Sequence, residues 1–217
     1  MPKGCGRRTK VLRVDPDNPE ALSIRKAAEL LRSGGLVAFP TETVYGIAAS
    51  LSDDKAIERL YEVKMRDRGK PFTVHIADIG MIEKMGCAVT PEAKRLIDKF
   101  WPGPLTVILK SKDGRKTGFR MPSNKVALEL IKAARVPVVA PSANISGNKP
   151  PTDAESVLEE LDGLIELVVD SGPTAIGIES TVVDMTVSPP KVLREGAIRT
   201  KEIVKTINSK SQVPNSK

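Results

Sequence analysis

The chain has 217 residues and a formal net charge of +7, from 34 Lys+Arg against 27 Asp+Glu. At 40% hydrophobic and 28% charged it has the composition of a globular domain, which excludes bulk disorder. No apolar run approaches the ~18 residues of a membrane-spanning helix, the single His75 excludes a His-rich metal site, and Cys5 and Cys87 have no metal-ligand spacing.

Asn18-Pro19-Glu20 predicts a helix start, followed by an apolar face of Leu22, Ala27, Leu30 and Leu31 and a stop at Gly34-Gly35. Leu36–Phe39 and Val44–Ser50 read as adjacent buried strands. Asp53 or Asp54 caps a helix with Ile57, Leu60, Tyr61 and Lys64 on one face. Phe72–Ala77 alternates as a strand, and Thr90-Pro91-Glu92 starts a helix that runs to about Phe100. Leu105–Leu109 is a strand, Ser111–Gly118 a polar loop, and Phe119–Met121 a short strand. Ser123 caps a helix over Val126–Ala134, and Thr152-Asp153 caps another that ends near Leu161. Leu164–Val169, Ser180–Met185 and Lys191–Leu193 read as strands, with a last helix over Lys201–Ile207. Neighbouring strands imply antiparallel pairs and helical crossovers imply parallel ones. The expected fold is α/β of the α+β type: a twisted mixed sheet with helices packed on it.

Charge is uneven along the chain. Residues 1–13 hold five cations and no acid, and residues 201–217 hold four cations against one acid. Residues 14–200 are therefore near neutral. The expected organisation is a basic N-terminal tail over 1–13, one domain over 14–208 and a polar C-terminal tail over 209–217. With no apolar signal core behind Met1, the sequence predicts a cytoplasmic protein with reduced thiols.

Four polar clusters follow apolar strands or a helix end. Pro40-Thr-Glu-Thr-Val-Tyr-Gly46 is either a capped turn with Tyr45 in the core or a hydroxyl-lined pocket. Lys64–Pro71 carries four cations in seven residues. They suit a solvated helix C-terminus, or a polyphosphate held beside the sheet end. Pro141–Gly147 places small and hydrogen-bonding residues after a strand, as a backbone cradle for an anion does. Gly177–Val182 and Leu193–Gly196 form the fourth cluster, where Arg194 reads equally as a surface ion-pair partner. No Walker loop and no dinucleotide-binding glycine fingerprint occurs. His75 alternates with Val74 and Ile76 and faces away from them.

These segments, with Lys64-x-Arg66, Pro102-Gly-Pro-Leu-Thr106, Arg120-Met-Pro122 and Glu179-Ser-Thr-Val-Val-Asp184, occur in the order found in the YrdC-like family, which the chain resembles over roughly residues 20–200. The resemblance implies a YrdC-like fold with a deep positive cavity. It implies synthesis of threonylcarbamoyl-AMP and pyrophosphate from L-threonine, bicarbonate and ATP, with Mg²⁺ on the triphosphate. The product would serve N6-threonylcarbamoyladenosine formation in tRNA, bound directly or reached through downstream threonylcarbamoyl-transfer proteins. By the same matching, Lys64, Arg66, Ser142 and Asn144 face each other as the catalytic set. Arg66, Lys70, Thr117, Ser142 and Arg194 would hold ATP, and Thr43, His75, Arg120 and Ser180 would line the threonine site. Lys70 stands where many relatives carry Asn. The expected protein is a monomer with no membrane partner and no protein-held metal. The rival reading is an RNA-binding module, for tRNA or double-stranded RNA, acting in translation or RNA maturation. The basic ends favour it; the near-neutral body and 3% aromatic content do not.

Overall fold

The computed structural model describes residues 8–209. In chain order they form β1 (Lys10–Arg13), α1 (Ala21–Arg32), β2 (Val37–Phe39), β3 (Gly46–Ser50), α2 (Asp54–Val63) and β4 (Val74–His75). Next come α3 (Gly80–Lys84), α4 (Pro91–Phe100), β5 (Leu105–Lys110), β6 (Lys116–Arg120), α5 (Lys125–Ala134) and β7 (Val138–Val139). The chain closes with α6 (Ala154–Leu161), β8 (Leu167–Asp170), β9 (Thr181–Asp184), β10 (Lys191–Arg194) and α7 (Thr200–Asn208).

The strands lie in the order β1-β8-β2-β3-β7-β4-β6-β5-β9-β10. β2/β3 and β9/β10 are antiparallel, as their adjacency predicts, whereas β2/β8, β4/β6 and β5/β9 are parallel across helical crossovers. The sheet is therefore mixed, as expected. Two differences stand out. Lys10–Arg13, assigned to the basic tail, pair in parallel with Leu167–Asp170 as edge strand β1. The backbone of this polar stretch found a ladder that its charge pattern did not announce. The short helix α3 also went unanticipated, because five residues are too few to establish a helical period. Cys5 and the extreme ends of the two tails lie outside the described residues.

Caps set most helix starts. Asp53, Thr90 and Asp153 each accept a backbone N–H from the first turn of their helices. The cap of α5 is Asn124, not Ser123: the helix starts one residue later and Asn124 Oδ1 accepts from Ala127 N at 3.0 Å.

Alternation divides the core between the two sheet faces. On one face Val37, Phe39, Ala48, Val138 and Ala140 pack against Ala27, Ala28 and Leu31 of α1 and Val126, Ala127, Leu130 and Ala134 of α5. On the other, Ala38, Ile47, Ala49, Val74, Val107, Phe119 and Val183 pack under α2, α4, α6 and α7. β2 and β3 are covered on both sides, which is why they read as continuous apolar runs. The strands β4, β6, β5 and β9 have helices on one side only. Their other face, left bare beside α5, becomes the floor of a cleft. Among the described residues no helix is long and apolar enough to cross a membrane.

Candidate functional site

Register builds the cleft floor. His75 of β4 is level with Arg120 of β6, Ile108 of β5 pairs with Gly118, and Thr106 and Ile108 pair with Val182 and Asp184 of β9. With period 2, Lys116, Gly118 and Arg120 share the cleft face of β6. The resulting cleft measures about 500 Å³. Its walls come from the turn after α2 (Arg66, Lys70, Phe72), the loop after β7 (Ala140–Ser142), the approach to β9 (Glu179, Ser180) and the end of β10 (Leu193, Arg194). A second cavity of about 340 Å³ adjoins it and shares Arg66, Lys70, Ser142, Glu179 and Arg194. Lys64, Asn144 and Gly147 are reached there.

The turn after α2 aims its cations in two directions. Met65 adopts φ 47°, the left-handed region, and reverses the chain between Lys64 and Arg66. Lys64, 1% exposed, buries its ammonium against the carbonyl oxygens of Ser142 (2.5 Å) and Asn144 (2.6 Å). Burial first, and the neighbouring Arg66 second, lower its pKa to about 8. Arg66 donates from Nε to the Lys70 carbonyl (3.0 Å) and lies 5.3 Å from the Phe72 ring centroid. Lys70 thus helps to aim Arg66 through its backbone, whatever its side chain does.

At the opposite end Arg120 is buried. Its Nη2 donates to Glu42 Oε1 (2.9 Å) and Thr43 Oγ1 (2.7 Å). Thr43 therefore stands behind Arg120. His75 packs edge-on to Phe39, and burial, then Arg120, lower its pKa to about 3, so the imidazole is neutral. Ser180 Oγ lies 2.9 Å from Thr106 Oγ1, and Arg194 donates to the Ser180 carbonyl from Nε (3.1 Å) and Nη2 (3.0 Å). Arg194 Nη1 also donates to Glu179 Oε1 at 2.6 Å. A Cβ on Gly196 would collide with the Glu179 carbonyl oxygen, so glycine is required where these two backbones touch.

Four buried side-chain polar atoms lack a partner among the described residues: His75 Nδ1, Arg120 Nε, Asn144 Oδ1 and Thr174 Oγ1. The first three belong to residues singled out from the sequence. A buried polar group without a partner is costly, and a ligand that completes it recovers that cost.

Most of the sequence-derived set is brought together here: Arg66, Lys70, His75, Arg120, Ser142, Ser180 and Arg194 line the cleft, and Lys64 and Asn144 the adjoining cavity. Thr117 does not join them. Odd and even residues of β6 point to opposite faces, and Thr117 lines a separate pocket with Tyr61, Val74 and Met85. Lys116 takes the cleft position and donates to Asp184 Oδ2 at 3.1 Å. Counting back in twos from Arg120 identifies Lys116 from sequence. Thr106 and Asp184 each end a motif quoted above, but only the long-range β5/β9 pairing puts them in the cleft. Nor is the cleft uniformly positive: Glu179 and Asp184 stand inside it against Arg194 and Lys116.

The Sua5/YciO/YrdC family model, described as telomere recombination, matches residues 29–196. The chain belongs to the Sua5/YciO/YrdC family. Relatives within it include the threonylcarbamoyl-AMP synthase of Pyrococcus abyssi, 44% identical over 197 residues, spanning 87% of this chain and 58% of that protein. The threonylcarbamoyl-AMP synthase of Bacillus subtilis is 45% identical over 194 residues, spanning 85% of this chain and 56% of that protein. The chain thus spans little more than half the length of these curated relatives. The crystal structure of P. abyssi Sua5 complexed with L-threonine superposes with a TM-score of 0.87 at 42% identity, covering 92% of this chain and 61% of that one.

Proposed function

We propose that this chain is a threonylcarbamoyl-AMP synthase, joining L-threonine, bicarbonate and ATP into threonylcarbamoyl-AMP with release of pyrophosphate. The observation that carries the reading is a single cleft with a buried arginine whose Nε is unpartnered at one end and Arg66, Lys70 and Arg194 at the other. The first suits a carboxylate and the second a polyphosphate. Between them Ile108, Val182 and Leu193 offer apolar contact to a base. The relatives' names and the threonine complex of Sua5 support the same assignment.

In this reading Arg120, His75 and Ser180 hold threonine, with Thr43 supporting Arg120. The amine of threonine and bicarbonate form a carbamate with loss of water, and a carbamate oxygen attacks the α-phosphorus as pyrophosphate leaves. The substrate supplies the nucleophile, so the protein's work is positioning and charge stabilisation. Lys64, Arg66 and Ser142 attend the phosphates. Lys64 spends two of its three N–H donors on Ser142 and Asn144 and keeps one for a phosphate oxygen. Asn144 Oδ1 remains free to accept from substrate or water. Glu179 and Asp184 each face a cation, and among the described residues no cluster of three His, Cys, Asp or Glu could hold a metal. In this reading Mg²⁺ would be carried by the triphosphate, with few protein ligands. The product would pass to proteins that transfer the threonylcarbamoyl group to tRNA.

Incubation with ATP, Mg²⁺, bicarbonate and each amino acid in turn tests the reading. Pyrophosphate release that needs both threonine and bicarbonate supports it. Equal release with no amino acid overturns it.

A further inference from the structure

Glu42 and Arg120 form the most buried ion pair among the described residues, with side chains 9% and 6% exposed. Both carboxylate oxygens are committed: Oε1 accepts from Arg120 Nη2 at 2.9 Å and Oε2 from the Ser123 backbone N–H at 3.1 Å. The backbone around Glu42 is fixed as well. Its carbonyl accepts from Ile176 N (2.9 Å), and the Thr43 carbonyl accepts from Gly177 N (2.9 Å). Glu42 is therefore anchored at both carboxylate oxygens and along its backbone. Arg120 is held at one corner only. Nη2 is taken by Glu42 and Thr43, whereas Nε is buried and unpartnered, and the side chain lines the cleft.

We infer that Glu42 is a positioning residue for the carboxylate of the amino-acid substrate. It fixes the guanidinium of Arg120 through Nη2, so that the donors left over, the unpartnered Nε–H among them, are held in place for an oxygen of the carboxylate. The pair is neutral overall, so recognition depends on the aim of those donors more than on an unbalanced positive field. The inference rests on the synthase reading and adds to it a residue that never touches substrate. Glutamine is the discriminating substitution. Glu42 faces two N–H donors, and an amide of the same shape presents one acceptor and one donor. One contact must turn into a donor–donor clash while the volume stays the same.

The experiment compares wild type, Glu42→Gln and Glu42→Asp, titrating threonine and ATP separately in the pyrophosphate-release assay and recording Tm for each. The expected result is a KM for threonine raised roughly 10- to 100-fold in Glu42→Gln, the scale of a small misplacement of a positioning group, with the KM for ATP within about twofold. Glu42→Asp, which keeps two acceptors on a shorter arm, should recover part of the loss. With L-threoninamide, which lacks the carboxylate, wild type and Glu42→Gln should perform alike. An unchanged threonine KM in Glu42→Gln overturns the inference, as does a loss shared equally between threonine and ATP or persisting with the amide. If Glu42→Gln fails to fold, Glu42→Asp carries the same comparison. Failure of the synthase reading itself is separate, since wild type would then release no pyrophosphate in response to threonine.

Discussion

Lys64 Nζ lies 2.5 Å from the Ser142 carbonyl oxygen, so the residue that ends α2 is tied to the loop that follows β7. This contact joins the cation-rich turn to the Pro141–Gly147 segment, and both residues line the smaller cavity. The ammonium of Lys64 is buried beside Arg66, and its pKa of about 8 makes the end of the cleft proposed for phosphate sensitive to alkali. Lys64 is protonated below that pH and loses its charge above it. In the synthase assay kcat/KM for ATP should be flat up to about pH 8 and then decline, because that parameter reports the free enzyme. Lys64→Ala should lower turnover by roughly 10²-fold or more, the scale of losing one preorganised donor, and abolish this alkaline limb. Near-normal turnover in Lys64→Ala would remove Lys64 from the phosphate site. The sign for stability is opposite. The folded-state pKa lies below the usual lysine value, so between the two the folded state holds fewer protons and stability rises with pH.

His75 should behave as a neutral imidazole throughout the working range. Its pKa is lowered to about 3 by burial and by Arg120, below the ordinary value of 6.5. Between those values the unfolded state binds the extra proton, so His75 costs stability as pH falls from about 6.5 toward 3. Tm measured against pH should drop less steeply over that window in His75→Gln than in wild type. An acid limb near pH 6.5 in the wild-type rate profile that vanishes in His75→Gln would contradict the neutral assignment.

The two faces of β6 make a paired test. Thr117 lines only the pocket behind the sheet, whereas Lys116 borders that pocket and also reaches the cleft. Thr117→Val should leave the KM for ATP within about twofold, since it removes no group from the cleft. Lys116→Ala should change that KM severalfold, because it also leaves Asp184, 11% exposed, without its cation. A larger effect from Thr117→Val than from Lys116→Ala would reverse the assignment of faces.

Gly196 presses on the Glu179-Ser180 peptide, and an added Cβ would strike backbone atoms that cannot swing aside. Gly196→Ala should therefore displace Ser180 and Arg194 together. It should lower stability by ~1–3 kcal/mol, the scale of overpacking, seen as a fall in Tm, and raise the KM values for threonine and ATP in parallel. A variant with wild-type Tm and kinetics would show that the two segments can separate freely.

Much of the architecture was legible because local rules happened to agree with the fold. The Asp53, Thr90 and Asp153 caps, the continuous runs of β2 and β3 and the alternation around His75 each follow from nearest-neighbour chemistry. Local reasoning failed where a distant partner intervened. Ser123 is not the cap of α5 but is tied through its N–H to Glu42, far away in sequence. Lys10–Arg13 became a strand because β8 offered an edge. Thr117 was misplaced by one residue, and one residue on a strand is the difference between two sides of a sheet.

The charge that marks this sequence divides along the same line. The sequence by itself determined the residue types: cations after α2, hydroxyls and Glu42 after β2, and an amide-rich loop after β7. It also set the order of these segments, from which the family is recognisable. Only the tertiary structure decided which of the cations stand free. Arg120, Lys116 and Arg194 are matched by Glu42, Asp184 and Glu179, each brought from a distant segment, and Arg66 is turned onto backbone carbonyls. The reason is physical. Composition fixes how many charges a chain carries, but a buried charge persists only beside a partner. Those partners are assigned by sheet register and by the half of one face that α1 and α5 leave uncovered.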